Sequence, residues 1–438
     1  MPNILMATVP LTGHVNPGLP IARKLIENGH DVLWYCGKRF KEKIESTGAR
    51  FAQIEKALDY DEKDMETYFP GIKQAQGIQS QKFYIEHVFY DQMKGQYLDL
   101  KNILDKFPAQ LVLSDPSFGG TIPLAEKNEL PWVVFSTIPL ILNSSDTAPF
   151  GLGLHPNASM LGKMRNGILN WLVPNVIFKD TQNHINKLRE ELELPPLKNF
   201  VLDQIYHACS LFFQCCTERV EYARSDLPKH IKFVGAFLPQ AQKTIELPWL
   251  DRLTNEKPVI HVTQGTLDNA DFHKLLIPTF RACEDLDVTL VATTGGQPID
   301  AIDKSLVPAN TILESFIPHT QLLPHVDIMI TNGGYGGVLS AFANGVPMIV
   351  AGNSEEKVEV CARVSYTGAG INLKTANPSP AQIRKAIQTI LNDPTYKQKA
   401  QLIQNDFQKH DAVSEMVAEL EHFIATRTTT QTSPPIAS

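Results

Sequence analysis

Two residues suited to moving a proton each follow a hydrophobic run that reads as a β-strand. His14 closes the segment ATVPLTGH behind the run NILMATV (3–9), and Asp115 directly follows QLVLS (110–114). An imidazole titrates near neutrality, with an unperturbed pKa of about 6.5, and can take a proton from a hydroxyl. A carboxylate beside it would fix its tautomer and stabilise the imidazolium. In an open parallel sheet both positions overlook the crevice at the carboxyl ends of the strands. Gly13 would let the loop leaving the first strand carry His14 over that crevice. Each residue also has an ordinary reading: His14 satisfying loop backbone groups, Asp115 capping the next helix. The shared strand-end placement is what favours chemistry.

A second constellation lies in FIPHTQLLPHVDIMITNGGYGGVLSAFANGVPMIV (316–350), which runs strand, glycine-rich turn (332–337), helix, glycine, strand. Glycines let backbone N–H groups approach a ligand, and a helix N-terminus favours negative charge. The turn is therefore a candidate diphosphate cradle, with a purely structural turn as the alternative. It is neither a GxGxxG nor a Walker loop, so neither dinucleotide nor triphosphate binding is indicated. Thr266, in the HVTQGT segment, could add a hydroxyl to the same phosphate.

These residues need strands and helices to hold them, and the pattern that supplies them is α/β. Short β-branched runs alternate with helical periods. In the first half they are 3–9, DVLWYC (31–36), QLVLS, WVVFST (132–137) and LFFQCC (211–216). The second half repeats the scheme with PVIHVT (258–263), DVTLVAT (287–293), NTILESF (310–316), DIMIT (327–331) and VPMIVA (346–351). PGLPIARKLIENG reads as a helix with a proline near its start and Gly29 at its end. The expected architecture is two Rossmann-like domains with parallel sheets facing across a cleft: 1–235, a linker 236–257, and 258–410. Helical periods at 379–392, 395–409 and 411–425 follow, the last expected to cross back onto the first domain. The Thr/Ser/Pro-rich tail 426–438 reads as disordered.

Composition bounds the function. The chain has 438 residues, 43% of them hydrophobic and 20% charged, enough for full-sized cores. Its net charge is −7, and no Lys/Arg block marks a nucleic-acid-binding face. No apolar run approaches the roughly 20 residues that span a bilayer. MPNILMATVPLTGH lacks a signal peptide's basic leader and cleavage site, so a cytoplasmic location is expected. The six cysteines (36, 209, 215, 216, 283 and 361) contain no CxxC pair and read as buried, reduced thiols. No Cys/His cluster has zinc-ligand spacing along the chain, and no metal site is expected.

Taken together, GHVNPGLPIARKL, VTQGT, the 316–350 segment and GAGINL resemble nucleotide-sugar-dependent glycosyltransferases of the GT-B architecture. The closest group is the bacterial and fungal UDP-glycosyltransferases that act on natural products such as macrolides and flavonoids. INKLREELELPP (185–196) looks like the helix before the end of the first domain in such enzymes. The resemblance implies His14 as catalytic base and Asp115 as the aspartate that orients it. It implies Phe316 as the aromatic platform for uracil, with Ile317 in the same motif and His319 where a glutamine is usual. Asn332 stands at the histidine of the phosphate turn, Gly333, Gly334 and Gly336 match the rest, and Gly337 replaces a serine. Ser340 replaces a glutamate near the ribose. Glu356 and Lys357 align with the Asp–Gln pair that holds sugar hydroxyls. These departures bear on donor identity.

The implied reaction is inverting and metal-independent, with a UDP-sugar as co-substrate, first of all UDP-glucose, and no further cofactor. No DxD carboxylate pair stands at a suitable strand end. The acceptor is expected to be an apolar phenolic, flavonoid, terpenoid or macrolide, with Phe83, Phe89, Phe118, Phe150 and Trp171 as candidate lining residues. Core or lid packing is the other reading of those aromatics. A monomer or weak homodimer is expected. The competing readings are a non-catalytic partner that activates a true enzyme, or a UDP-sugar epimerase or hydrolase. A nicotinamide dehydrogenase is disfavoured by the absence of GxGxxG after the first strand.

Overall fold

Among the described residues there are thirteen short strands, all parallel, in two sheets, and the ten apolar runs supply ten of them. The computed structural model describes residues 2–75, 77–238, 245–253, 256–265, 269–353 and 356–432. The first sheet contains β1 (Asn3–Ala7), β2 (Asp31–Cys36), β3 (Arg50–Gln53), β4 (Leu111–Ser114), β5 (Trp132–Phe135), β6 (Leu211–Gln214) and β7 (Ile231–Phe233), in the order β3-β2-β1-β4-β5-β6-β7. The second contains β8 (Val259–Thr263), β9 (Thr289–Thr293), β10 (Thr311–Glu314), β11 (Ile328–Thr331), β12 (Met348–Val350) and β13 (Gly370–Asn372), in the order β10-β9-β8-β11-β12-β13. Central strands such as LVLS, WVVF and IMIT are buried along their whole length, as parallel strands covered by helices on both faces must be.

Strand order reverses between β1 and β4 in the first sheet and between β8 and β11 in the second. At such a switch point the loops leaving the two strands part to opposite faces and open a crevice for ligands. His14 and Asp115 follow β1 and β4, and Asn332 follows β11 beside the loop after β8. Register supports the placement: Ala7 pairs with Ser114, and Thr331 with Thr263, so the loops leave their sheets level with each other.

Two local expectations need correction. The first helix starts at Thr12 and runs to Glu27, so His14 sits in its first turn rather than in a loop, and Pro17 and Pro20 lie inside it. The early start has a cause in another segment: the Glu62 carboxylate accepts from both the backbone N–H and the hydroxyl of Thr12. The final helix, Ala412–Thr432, continues into the segment read as disordered. Nothing in TRTTTQT stops a helix, and the first proline comes later, at Pro434.

That last helix packs back onto the first half of the chain. Glu421 Oε1 accepts from Asn28 Nδ2 and lies 2.9 Å from His30 Nε2, while Met416, Val417 and Leu420 join a core shared with Ile21 and Leu25. All six cysteines are buried thiols, and burial pushes those of Cys36 and Cys215 up to about 12. Among the described residues no helix is long and apolar enough to cross a membrane.

Candidate functional site

The first-sheet crevice is built around Asp115. Its side chain is fully buried, and its charge is met by the backbone N–H groups of Val9, at 2.9 Å, and Ser117, at 2.8 Å. It does not cap the following helix, which begins at Thr121. The oxygen that accepts from Ser117 also lies 2.8 Å from His14 Nδ1. Thr137, at the end of β5, brings its hydroxyl to 3.3 Å from the same nitrogen. With a carboxylate at Nδ1 the proton of a neutral imidazole resides there, which leaves Nε2 as the basic nitrogen. His14 retains 12% exposure, and no protein group among the described residues bonds its Nε2. Phe89 closes one side, its ring centroid 6.4 Å from the imidazole.

The second crevice is made of backbone. Gly265 and Gly295 hold positive φ values of 73° and 68°, and a side chain on Gly295 would collide with the Gly265 carbonyl oxygen. Asn332 Nδ2 donates to the Gln264 carbonyl, which ties the loop after β8 to the loop after β11. The helix Tyr335–Ala343 begins with Gly334 at its N-cap and no side-chain cap, so its first-turn N–H groups remain for a ligand. Positions equivalent to a Cβ on Gly334 and Gly336 meet no atom within 4 Å. The turn thus has the uncapped N–H groups and the free space that an anion cradle needs.

Around this turn the other donor-side residues divide. Phe316 is 49% exposed beyond β10, available as a stacking platform, whereas the Ile317 side chain is buried in the core. His319 lies beneath Gly337, its Cε1 3.7 Å from where a Cβ would stand. Its ring packs edge-on against His261 of β8, with centroids 5.8 Å apart. Burial lowers His319 to about 4, and burial with the neighbouring His319 lowers His261 to about 3, so both are neutral near pH 7. Ser340 turns its hydroxyl back to the Gly336 carbonyl at 2.8 Å. Glu356 is the N-cap of the helix Lys357–Tyr366, and the buried Lys357 packs beside Gly333 and Gly352. Thr266 lies outside the described residues.

The aromatics proposed for an acceptor wall part company. Phe83 and Phe89 belong to one patch with Tyr60, Phe69 and Val88 beside His14. Phe150 borders a small gap with Tyr222 and Arg363. Phe118 is core, 1% exposed and edge-on to Tyr35, so it cannot line a pocket. Trp171 is 62% exposed on the outer side of the helix Met160–Leu172, with Met164 and Ile168.

Sequence reasoning missed Thr137, His261 and the contact that joins the two crevices. Tyr335, inside the glycine turn, is buried and receives a hydrogen bond at 3.3 Å from Gln214 at the end of β6. The available signal was position: Thr137 and Gln214 both stand at strand ends, as His14 and Asp115 do.

Comparison with known proteins agrees over nearly the full chain. Residues 279–423 match the family described as erythromycin biosynthesis protein CIII-like, C-terminal domain. The chain is 38% identical over 422 residues to 4'-demethylrebeccamycin synthase of Lentzea aerocolonigenes, covering 96% of this chain and 99% of that protein. It is 31% identical over 440 residues to UDP-glycosyltransferase 2 of Phaeomoniella chlamydospora, covering 97% and 96%. Its fold is similar to that of CalG4, the calicheamicin glycosyltransferase, with a TM-score of 0.73 at 18% identity over 97% of this chain and 98% of the other.

Proposed function

Since the chain belongs to the natural-product glycosyltransferases of the GT-B fold, we propose that it moves a hexose from a UDP-sugar, glucose first, to a hydroxyl of an apolar small molecule. The observation that carries this reading is the 2.8 Å contact between His14 Nδ1 and Asp115, with Nε2 open beside Phe89. Nε2 takes the acceptor proton as the acceptor oxygen attacks the anomeric carbon, and the bond to UDP breaks on the opposite face. Configuration inverts in that single displacement. Asp115 holds the ring and stabilises the imidazolium.

The charge that develops on UDP is met by the first-turn N–H groups of the helix Tyr335–Ala343 and by its dipole. This reading routes no step through a metal or a further cofactor. Phe316 stacks the uracil ring. Asn332 and Ser340 already bond to the protein, and Lys357 stands where the family has a neutral residue. That supports a donor site shifted from the family pattern around a hexose–UDP core. Phe83 and Phe89 support an apolar, aromatic or polycyclic acceptor.

The test is transfer from UDP-glucose and other nucleotide sugars to a panel of phenolic, flavonoid, terpenoid and macrolide acceptors, read by mass spectrometry. A mass gain of one hexose is expected. His14→Ala should lower kcat roughly 10²–10⁴-fold, the usual worth of general-base catalysis, while calorimetry shows UDP binding retained. Full activity in His14→Ala would overturn the base assignment. Failure of the wild-type chain to bind UDP would instead favour a non-catalytic partner.

A further inference from the structure

Outside both crevices, two helices are bridged by a cluster with metal-binding chemistry. His87 lies in the π-helical stretch Tyr84–Tyr90, which is capped by Asp91, and His184 lies on the helix Lys179–Glu191. Asp91 Oδ2 is 2.8 Å from His87 Nδ1, and Asp91 Oδ1 is 2.6 Å from His184 Nε2. The two rings are 5.9 Å apart. Each residue offers one ligand atom, and all three atoms lie within 4.8 Å of one another.

Two imidazoles and one carboxylate form the donor set of borderline divalent transition metals, not of calcium or magnesium, which want oxygen. We propose that His87, Asp91 and His184 bind a zinc-class divalent cation, with water completing a four-coordinate site.

The geometry needs little adjustment. With metal–nitrogen bonds near 2.0–2.1 Å, tetrahedral ligand atoms stand about 3.3 Å apart. The present 2.8 and 2.6 Å contacts, made to the two oxygens of Asp91, must therefore open by about 0.5–0.7 Å, and any pair nearer the 4.8 Å limit must close toward the same spacing. The three side chains are 31–41% exposed, so they can move and an ion can reach them. Binding through His87 Nδ1 puts that ring's proton on Nε2, which faces Glu86 Oε2 at 3.9 Å. Glu86 in turn accepts from Thr181, on the same helix as His184. At 3.9 Å this is an ion-pair distance, and a shift of Glu86 toward the ring would let it accept from Nε2–H, the outer-carboxylate arrangement that orients a ligating imidazole.

The cation would clamp the segment that carries Phe83 and Phe89 to the helix Lys179–Glu191. It would brace the wall beside His14 without taking part in transfer. Expectation of no metal site rested on Cys/His spacing along the chain; here the ligands are split, one of them 93 residues from Asp91.

The test uses the full chain without a histidine tag, stripped by a chelator. Zn2+ is titrated by calorimetry and by competition with a chromophoric chelator, alongside H87Q, D91N, H184Q and the double variant H87Q/H184Q. One equivalent is expected to bind, with affinity reduced at least tenfold in each single variant and that equivalent lost in the double. Zn2+ should raise Tm in the wild type and leave the double variant unmoved. Co2+ should give the visible bands of a tetrahedral ion in the wild-type chain, a readout independent of any variant's folding. Stoichiometry and affinity unchanged in the double variant, or no Co2+ bands with no Zn2+ binding, would overturn the proposal.

Discussion

At the scale of single residues, the protein holds its histidines in two opposite ways. His14 keeps a buried carboxylate at Nδ1, and Asp115 can afford burial because two backbone N–H groups and the imidazole satisfy it. Among the described residues His261 and His319 have no carboxylate partner; burial, with the neighbouring His319, lowers His261 to about 3, and burial lowers His319 to about 4. The consequence for stability has a definite sign. In the unfolded chain each titrates near 6.5, so between about pH 6.5 and 4 the unfolded state binds more protons and stability falls as pH falls. Between pH 7 and pH 5 a histidine that remains neutral when folded contributes a loss of about 2 kcal/mol. Urea denaturation at the two pH values should therefore show wild type losing about 2 kcal/mol more than His261→Gln. Equal losses would mean that His261 is protonated in the folded chain. Under the proposed function, a neutral His319 beneath the turn would leave the diphosphate charge to the backbone N–H groups of the helix start.

The element that matters most is the turn between β11 and its helix, and two of its glycines are needed for different reasons. Gly333 has φ of 86°, and a Cβ there would stand 2.6 Å from Cys361 Sγ. Gly336 has ordinary helical geometry, and a Cβ there meets nothing within 4 Å. Gly333→Ala should cost about 1–2 kcal/mol from the left-handed backbone alone, more with the clash, and weaken UDP binding with it. Gly336→Ala should hold or raise Tm, since alanine favours helix by up to about 1 kcal/mol, yet weaken UDP binding by crowding the anion site. Thermal melts with calorimetry separate the two, and normal UDP affinity in Gly336→Ala would remove the diphosphate from this turn. The turn was legible in the sequence because glycines cluster there between an apolar strand and a helix. The central strands were legible for a related reason, being continuous apolar runs. β3, β7 and β13 were not: RFAQ, IKF and GIN are sheet edges of three or four residues with polar or glycine positions. The edge strand β10, by contrast, was legible because TILE carries the apolar run that these three lack. His14 and Asp115 were legible by strand-end position. The first helix's start was not, because the carboxylate that caps it comes from Glu62.

On the scale of the whole molecule, the question is what holds the two crevices, the one beside His14 and the one at the glycine turn, at a fixed separation. A buried network does so. Arg363, on the helix that begins at Lys357, reaches Glu221 at 2.7 Å and Glu359 at 2.8 Å, and donates to the Leu140 carbonyl. Arg224 adds a second cation beside Glu221, and Arg363 stacks on Tyr222. Glu359 also accepts from the backbone of Gly151 and Gly153. Two cations thus meet two carboxylates, all nearly inaccessible, across the junction between residues 140–224 and the helix that flanks the glycine turn. The nearby charges hold Glu221 below the usual carboxylate range despite its burial. Such a network costs desolvation to build, but removing one member strands the rest. Arg363→Ala should therefore destabilise the chain by about 3–5 kcal/mol in urea. The double variant Arg363→Leu with Glu221→Leu should lose less than the sum of its singles, since each single leaves a buried charge alone. A loss below about 1 kcal/mol in Arg363→Ala would show that the junction rests on apolar contacts, and that the spacing between His14 and the turn is set by the shared core with the final helix instead.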